Sequence, residues 1–298
     1  MDAFEHKVRR TIEGLQQGSF HAMALDITQR RMAWLDRALP EKTGYDQFTP
    51  REAYELLFFE QMSLGRDELP VISESPDEIA WLSRNRCSLL EACLALGLDT
   101  RKVCRAVNEK ATQAFLSRIN PQLRFHRSYK EIRPYTDYCR EKIIRVDFSA
   151  YMSLALREAQ RSKVEGNKGY GAVVVYDRQI IGQARDTAIT EHDPSLHAEM
   201  NAIRQAVEAK GDADLCGAIL FSTCEPCPMC ASLAVWANLT TIVYGISIEE
   251  TAKLGRSRIQ IGADEVIARS PCSIEVIGNV LHDECKKMME KSSHATPK

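Results

Sequence analysis

Two short stretches thirty residues apart hold one imidazole and two thiols that can serve a single ion: His197-Ala198-Glu199 and Pro226-Cys227-Pro228-Met229-Cys230. His197 follows a polar loop and opens one expected helix, and Cys227 and Cys230 open the next. The two-residue spacer lets both sulfurs face the same point from one turn. Any fold of this chain must therefore set the starts of two successive helices side by side, with the apolar run Ala218–Ser222 between them as a buried strand. Helix N-termini carry partial positive charge and unpaired N–H groups, which favour thiolates.

A nitrogen and two sulfurs form a ligand set suited to Zn2+. Structural zinc sites close all four positions, whereas three protein ligands leave one for water, whose pKa falls toward ~7 on the metal. One Zn2+ per chain with water or hydroxide as fourth ligand is the expectation. Glu199 is no ligand, but a carboxylate there can move a proton from that water to a ring nitrogen and a leaving amine. Cys224, three residues before Cys227, is expected to be a core thiol and not a fourth ligand.

The chain has 298 residues, 44% hydrophobic and 27% charged, with ten cysteines. No apolar run approaches the ~18 residues of a membrane helix. Met1–Arg10 is charged throughout and predicts no secretory leader, so the thiols read as free groups or metal ligands in a cytoplasmic protein and not as a disulfide framework. Cys87, Cys93, Cys104 and Cys139 are spaced by 6, 11 and 35, which fits no ligand template.

Apolar positions at helical spacing in Ala33–Leu39, Tyr54–Met62 and Ile79–Leu96, with Pro50 and Pro76 as helix starts, predict an all-helical domain over residues 1–145. Gly97 is expected to end one helix, with Asp99 or Thr100 capping the next. Residues 147–298 read differently. Ser149–Ser162 predicts a helix, Gly171–Tyr176 and Gln179–Gly182 a hairpin, His197–Lys210 and Met229–Asn238 helices, and Thr241–Tyr244 and Ile274–Ile277 strands. This alternation predicts a three-layer α/β domain, a mixed sheet with helices on both faces.

H-A-E followed by P-C-x-x-C resembles the signature of the zinc-dependent, cytidine-deaminase-like superfamily. His192–Arg204 and Cys224–Cys230 are similar to its purine-side branch, which contains guanine deaminases and transfer-RNA adenosine deaminases. The likeness covers about residues 149–255. It implies a hydrolase that deaminates a purine-like base, nucleoside or related amino-heterocycle, and a homodimer. It also implies substrate contacts at Trp236, six residues after Cys230, and at the backbone near Pro226. Trp236 is weighed equally as core packing. Eleven residues before His197, where relatives commonly carry asparagine, this chain has Asp186. Ionised aspartate only accepts hydrogen bonds, so it should favour a ring edge rich in N–H donors.

Residues 101–145 carry 12 Lys/Arg against 4 Asp/Glu. With Arg124, Arg127 and Lys130 among aromatics, the stretch allows an alternative, deamination of adenosine or cytidine in transfer RNA or single-stranded DNA. The favoured reading is a solvated face whose charges pair with acids in the other half. A zinc-stabilised scaffold without catalysis is the second alternative, and Glu199 speaks against it. The helical half is expected to shape the substrate entrance or a dimer interface.

Overall fold

The computed structural model describes residues 2–17, 19–39, 48–270 and 273–290. The chain divides into two compact units, Met1–Val146 and Asp147–Lys298.

The N-terminal unit begins with helices α1 (Ala3–Gln17) and α2 (Phe20–Ala38). Thr49 opens α3 (Pro50–Glu55) with a complete capping box on Glu52 and Pro50 in the first turn. That helix runs on as a π-helical stretch, Leu56–Gln61. Gly97, in the left-handed region at φ 64°, ends α4 (Ser88–Leu96), and the Asp99 side chain caps α5 (Thr100–Cys104). A second π-helical stretch, Arg105–Glu109, leads into α6 (Lys110–Ile119).

The expectation of an all-helical residues 1–145 is corrected by four strands, β1 (Val71–Ser75), β2 (Glu78–Ser83), β3 (Leu123–Arg127) and β4 (Cys139–Arg145). They form one antiparallel sheet in the order β1-β2-β4-β3. Pro76 starts no helix; it lies in the turn between β1 and β2. The apolar stretch from Ile79 to Leu96 is a strand followed by a separate helix. β2 is buried on both faces, with Ile79, Ala80, Trp81 and Ser83 all inside, so no two-residue alternation marks it. Trp81 centres the core, packing on Tyr54 and Phe58, and its indole N–H lies 3.0 Å from Glu141 Oε2 and from Ser83 Oγ. Glu141 in turn pairs with Arg127.

The cations of residues 101–145 do form pairs, but with acids of their own unit: Arg101 with Asp99, Arg140 with Glu131, Lys142 with Glu78 and Arg145 with Asp77.

The C-terminal unit contains α7 (Phe148–Val164), β5 (Gly171–Tyr176), β6 (Gln179–Arg185), α8 (Ala198–Lys210), β7 (Ile219–Cys224), α9 (Pro228–Trp236), β8 (Thr241–Ile246), α10 (Ile248–Lys253), α11 (Ala263–Ala268), β9 (Glu275–Ile277) and α12 (His282–Met289). The sheet order is β6-β5-β7-β8-β9, antiparallel at β6-β5-β7 and parallel at β7-β8-β9, which is the expected mixed sheet. Two glycines set how closely helices approach it. A Cβ at Gly171 would strike the Ala155 carbonyl of α7, and one at Gly182 the Ala202 carbonyl of α8. Ala155, Ala159, Ala202 and Ala206 face these contacts fully buried, so α8 lies close against the hairpin and its first turn is held at a fixed height.

Candidate active site

The site forms where β7 ends and α8 and α9 begin. His197 is the N-cap of α8 and Cys227 the N-cap of α9, both in extended backbone and neither using its side chain to cap. Cap side chains commonly bond back to the helix; here both are left to face each other. Cys230 lies one turn into α9. Cys227 Sγ and Cys230 Sγ are 3.6 Å apart, and each is 3.6 Å from His197 Nδ1. Bond lengths to zinc of ~2.3 Å for sulfur and ~2.0–2.1 Å for nitrogen separate donors at the corners of a tetrahedron by roughly 3.5–3.8 Å. The three donors therefore fit a zinc ion. Among the described residues no fourth His, Cys, Asp or Glu joins this group.

Cys224 is the expected core thiol. It is buried, its sulfur contacts Thr251 Oγ1 and accepts from Arg258 Nη2 at 2.7 Å, and burial pushes it up to about 11. The hydrogen bond between Cys227 and Cys230 is the first cause lowering Cys227 to about 4 and the first cause raising Cys230. His197 is raised, chiefly by Cys227.

Glu199 is buried, and burial raises its carboxyl above the ordinary range. Oε2 is 3.6 Å from Cys230 Sγ, and Oε1 is 2.9 Å from Ser222 Oγ. It thus stands beside the metal donors without joining them.

Asp186 follows β6 and has no exposed surface. Its backbone N–H donates to the Tyr170 carbonyl and its own carbonyl accepts from Ser162 Oγ, yet among the described residues neither carboxylate oxygen has a hydrogen-bond partner. Its charge reaches His197. The loop from Asp186 to His197 is tied at two points that sequence reasoning missed. Asn167 Oδ1 accepts from the backbone of Ile189 and Thr190, and Asn201 Nδ2 donates to the Arg185 carbonyl.

Pro226 is buried between β7 and α9. Trp236 is not brought to the cluster. It ends α9, six residues and roughly 9 Å of helical rise beyond Cys230, and at 78% exposure it fills no core.

Two further residues escaped the sequence reading. Ser222 is a hydroxyl inside the wholly buried strand Ile219–Cys224, and that incongruity was its only signal. Glu225 is a buried carboxylate between two thiols. Its oxygens accept from the first N–H groups of α10 (Ile248, 2.9 Å) and α11 (Ala263, 2.8 Å), so one side chain fastens two helix starts beside the site.

Residues 146–246 match the model of the cytidine and deoxycytidylate deaminase zinc-binding region. The chain is 34% identical over 139 residues to a tRNA-specific adenosine deaminase of Bacillus subtilis (strain 168), which covers 47% of this chain and 84% of that protein. It is 38% identical over 86 residues to a guanine deaminase of the same organism, 29% of this chain and 55% of the relative, so it spans about half that relative's length. A solved structure from work on tRNA:A34 deaminases aligns with a TM-score of 0.42 and 26% identity, over 47% of this chain and 99% of the other.

Proposed function

Because the chain belongs to the zinc-binding cytidine and deoxycytidylate deaminase family and is a hydrolytic C–N deaminase, we propose that its substrate is a purine-like base, nucleoside or related amino-heterocycle, deaminated with release of ammonia. The observation that carries this reading is the Asp186 carboxylate, wholly buried and without a donor among the described residues. An unpaired carboxylate inside a protein is costly, and a ring edge bearing N–H groups supplies what it lacks. A guanine-type edge or an amino-substituted azine does so; an acceptor such as adenine N7 does not.

We assign His197, Cys227 and Cys230 the holding of one zinc ion per chain, with solvent completing its sphere. When bound, zinc supplies Lewis-acid activation of the attacking water. Glu199 takes one proton from the attacking water and delivers it to the ring nitrogen, then passes the proton of the hydroxyl newly added to the ring carbon to the departing amine as the carbonyl forms. Ser222 orients the Glu199 carboxylate, the loop held by Asn167 and Asn201 aims Asp186, and the backbone around Pro226 receives the leaving amine. Trp236 would meet substrate only from outside the cluster. The protein is read as a cytoplasmic homodimer. The nine described cysteines are all free, which supports a reducing compartment, and light scattering reads the oligomeric state.

Deamination within transfer RNA or single-stranded DNA is the rival, and the residues nominated for it are largely engaged elsewhere. Arg124 is buried and donates to the Pro121 and Leu123 carbonyls, and Arg127 is paired with Glu141. The test is ammonia release from zinc-loaded protein offered bases, nucleosides, triazines and RNA oligonucleotides. Turnover of a free heterocycle, abolished by chelation and restored by zinc, is the expected result; turnover of RNA alone would transfer the reading to its rival.

A further inference from the structure

The N-terminal unit contains a cavity of about 800 Å³ walled by α1, α2, the first π-helical stretch, the loop after β2 and β4. Small-molecule sites span ~300–1,000 Å³. Its wall carries seven Lys/Arg against two Asp/Glu, and both acids are taken: Asp26 by Arg30 at 2.5 Å, Glu141 by Arg127.

At its inner side lies Arg31, 8% exposed. One Nη donates to Thr112 Oγ1 at 3.0 Å and the other reaches only Met62 Sδ at 3.8 Å. No carboxylate pairs with it among the described residues. Burial, with Arg127 and Arg30 as like-charged neighbours, pulls its guanidinium down to about 10, which the charge of Glu141 offsets only in part. Two other polar atoms of the same wall are buried without partners among the described residues, Arg133 Nε and Gln61 Oε1. Both π-helical stretches contribute to the lining, through Phe58 and Gln61 and through Asn108. Such turns occur frequently at functional sites.

We propose that this cavity binds a phosphate-bearing small molecule of nucleotide size, its anion held by Arg31 and Arg133. Guanidinium forks match phosphate oxygens bidentately. Lys7 and Arg10, which have no ion pair among the described residues, add charge at the same wall, so a phosphate dianion is balanced where a single carboxylate would leave cations uncompensated. Leu89, Ile132 and Phe58 give the remainder of the ligand an apolar surface, and Gln61 Oε1 gives it an acceptor.

The experiment is calorimetric titration and thermal denaturation of the full zinc-loaded chain with AMP, GMP, ribose 5-phosphate and inorganic phosphate, with succinate and a single-stranded RNA decamer as comparison arms. Saturable binding of at least one phosphate ester is expected, weakened at least ~30-fold by Arg31→Met. The ligand-free Arg31→Met protein should melt no lower than wild type, because a buried cation without a paired carboxylate has been removed. Arg133→Gln, which leaves Arg31 and its neighbours in place, should weaken binding by about tenfold. Heat from none of the phosphates, equal binding of succinate, binding of RNA without binding of a phosphate ester, or binding that survives both substitutions would each overturn the proposal. The last result would move any bound nucleotide to the other unit.

Discussion

Ser222 Oγ lies 2.9 Å from Glu199 Oε1, joining the middle of the buried strand β7 to the first turn of α8. The same hydroxyl is 2.7 Å from the Cys224 carbonyl. Ser222 has one proton and two lone pairs. It can donate to an ionised Glu199, or donate to the Cys224 carbonyl and accept from a protonated Glu199. The carboxyl therefore keeps one orientation through a proton-transfer cycle.

Removing that partner should affect turnover more than binding. Ser222→Ala is expected to lower kcat by about tenfold with KM changed less than ~3-fold and zinc content unchanged, while Glu199→Ala should cost at least ~100-fold. Steady-state kinetics with metal analysis on each variant checks this. A Ser222→Ala enzyme with wild-type kcat would remove the orienting role.

Asp186→Asn should do two things at once. Deleting a buried charge without a donor should raise the melting temperature of the substrate-free protein. Exchanging an acceptor-only group for one that also donates should shift the ratio of kcat/KM away from guanine-type edges, toward rings presenting an acceptor, by at least ~10-fold. Paired melting curves and substrate competition read both effects. If the melting temperature falls and the ratio stays put, Asp186 is a structural residue.

The metal donors were legible because short spacing and helix-start position fix where Cys227 and Cys230 point, and because His197 ends a polar loop before an apolar helix. The strands of the N-terminal unit were not, for the converse reason. Glu141 and Arg124 are charged residues on the inside of strands, and β1 has all five residues exposed. Alternation, the signal of a half-buried strand, was erased at both extremes. Asp186 could be picked out only through its resemblance to relatives, and its lack of a donor among the described residues is a property of the folded loop. Trp236 shows the limit in the other direction: an aromatic at the end of an apolar helix reads equally as core packing or substrate contact, and its 78% exposure rules out the first.

Glu225 accepts the first N–H of α10 and of α11, and Gln in its place would present an amide N–H toward one of them. Hydrogen bonds to a charged group contribute about 1.5–3 kcal/mol each. Glu225→Gln is expected to destabilise by about 2–4 kcal/mol in chemical denaturation, with Glu225→Ala at the upper end. A loss under ~0.5 kcal/mol would mean that water replaces the carboxylate at both helix starts.

The C-terminal helix gives a pH-dependent prediction at groups that are not among the metal donors. His282 Nε2, on α12, is 2.8 Å from Glu250 Oε1 on α10, and His282 Nδ1 is 3.2 Å from Asp283 Oδ1. Hydrogen bonding to Glu250, then to Asp283, holds the imidazole above its usual range, and the bond from His282 is the first cause holding Glu250 below its own. A raised histidine contributes stability that is complete below its unfolded value and lost as pH rises through the folded one. A depressed carboxyl contributes stability that is complete above its unfolded value and lost as pH falls through the folded one. Both contributions are complete only between ~4.5 and ~6.5, the unfolded values. The melting temperature of wild type should therefore exceed that of His282→Gln most near pH ~5.5, and the gap should close by pH ~9. The pair is partly exposed, so solvent screening limits it to about 0–1 kcal/mol, a shift of a few degrees at most. A gap that widens between pH ~5.5 and ~9 would show that the two helices are joined by something other than this charge pair.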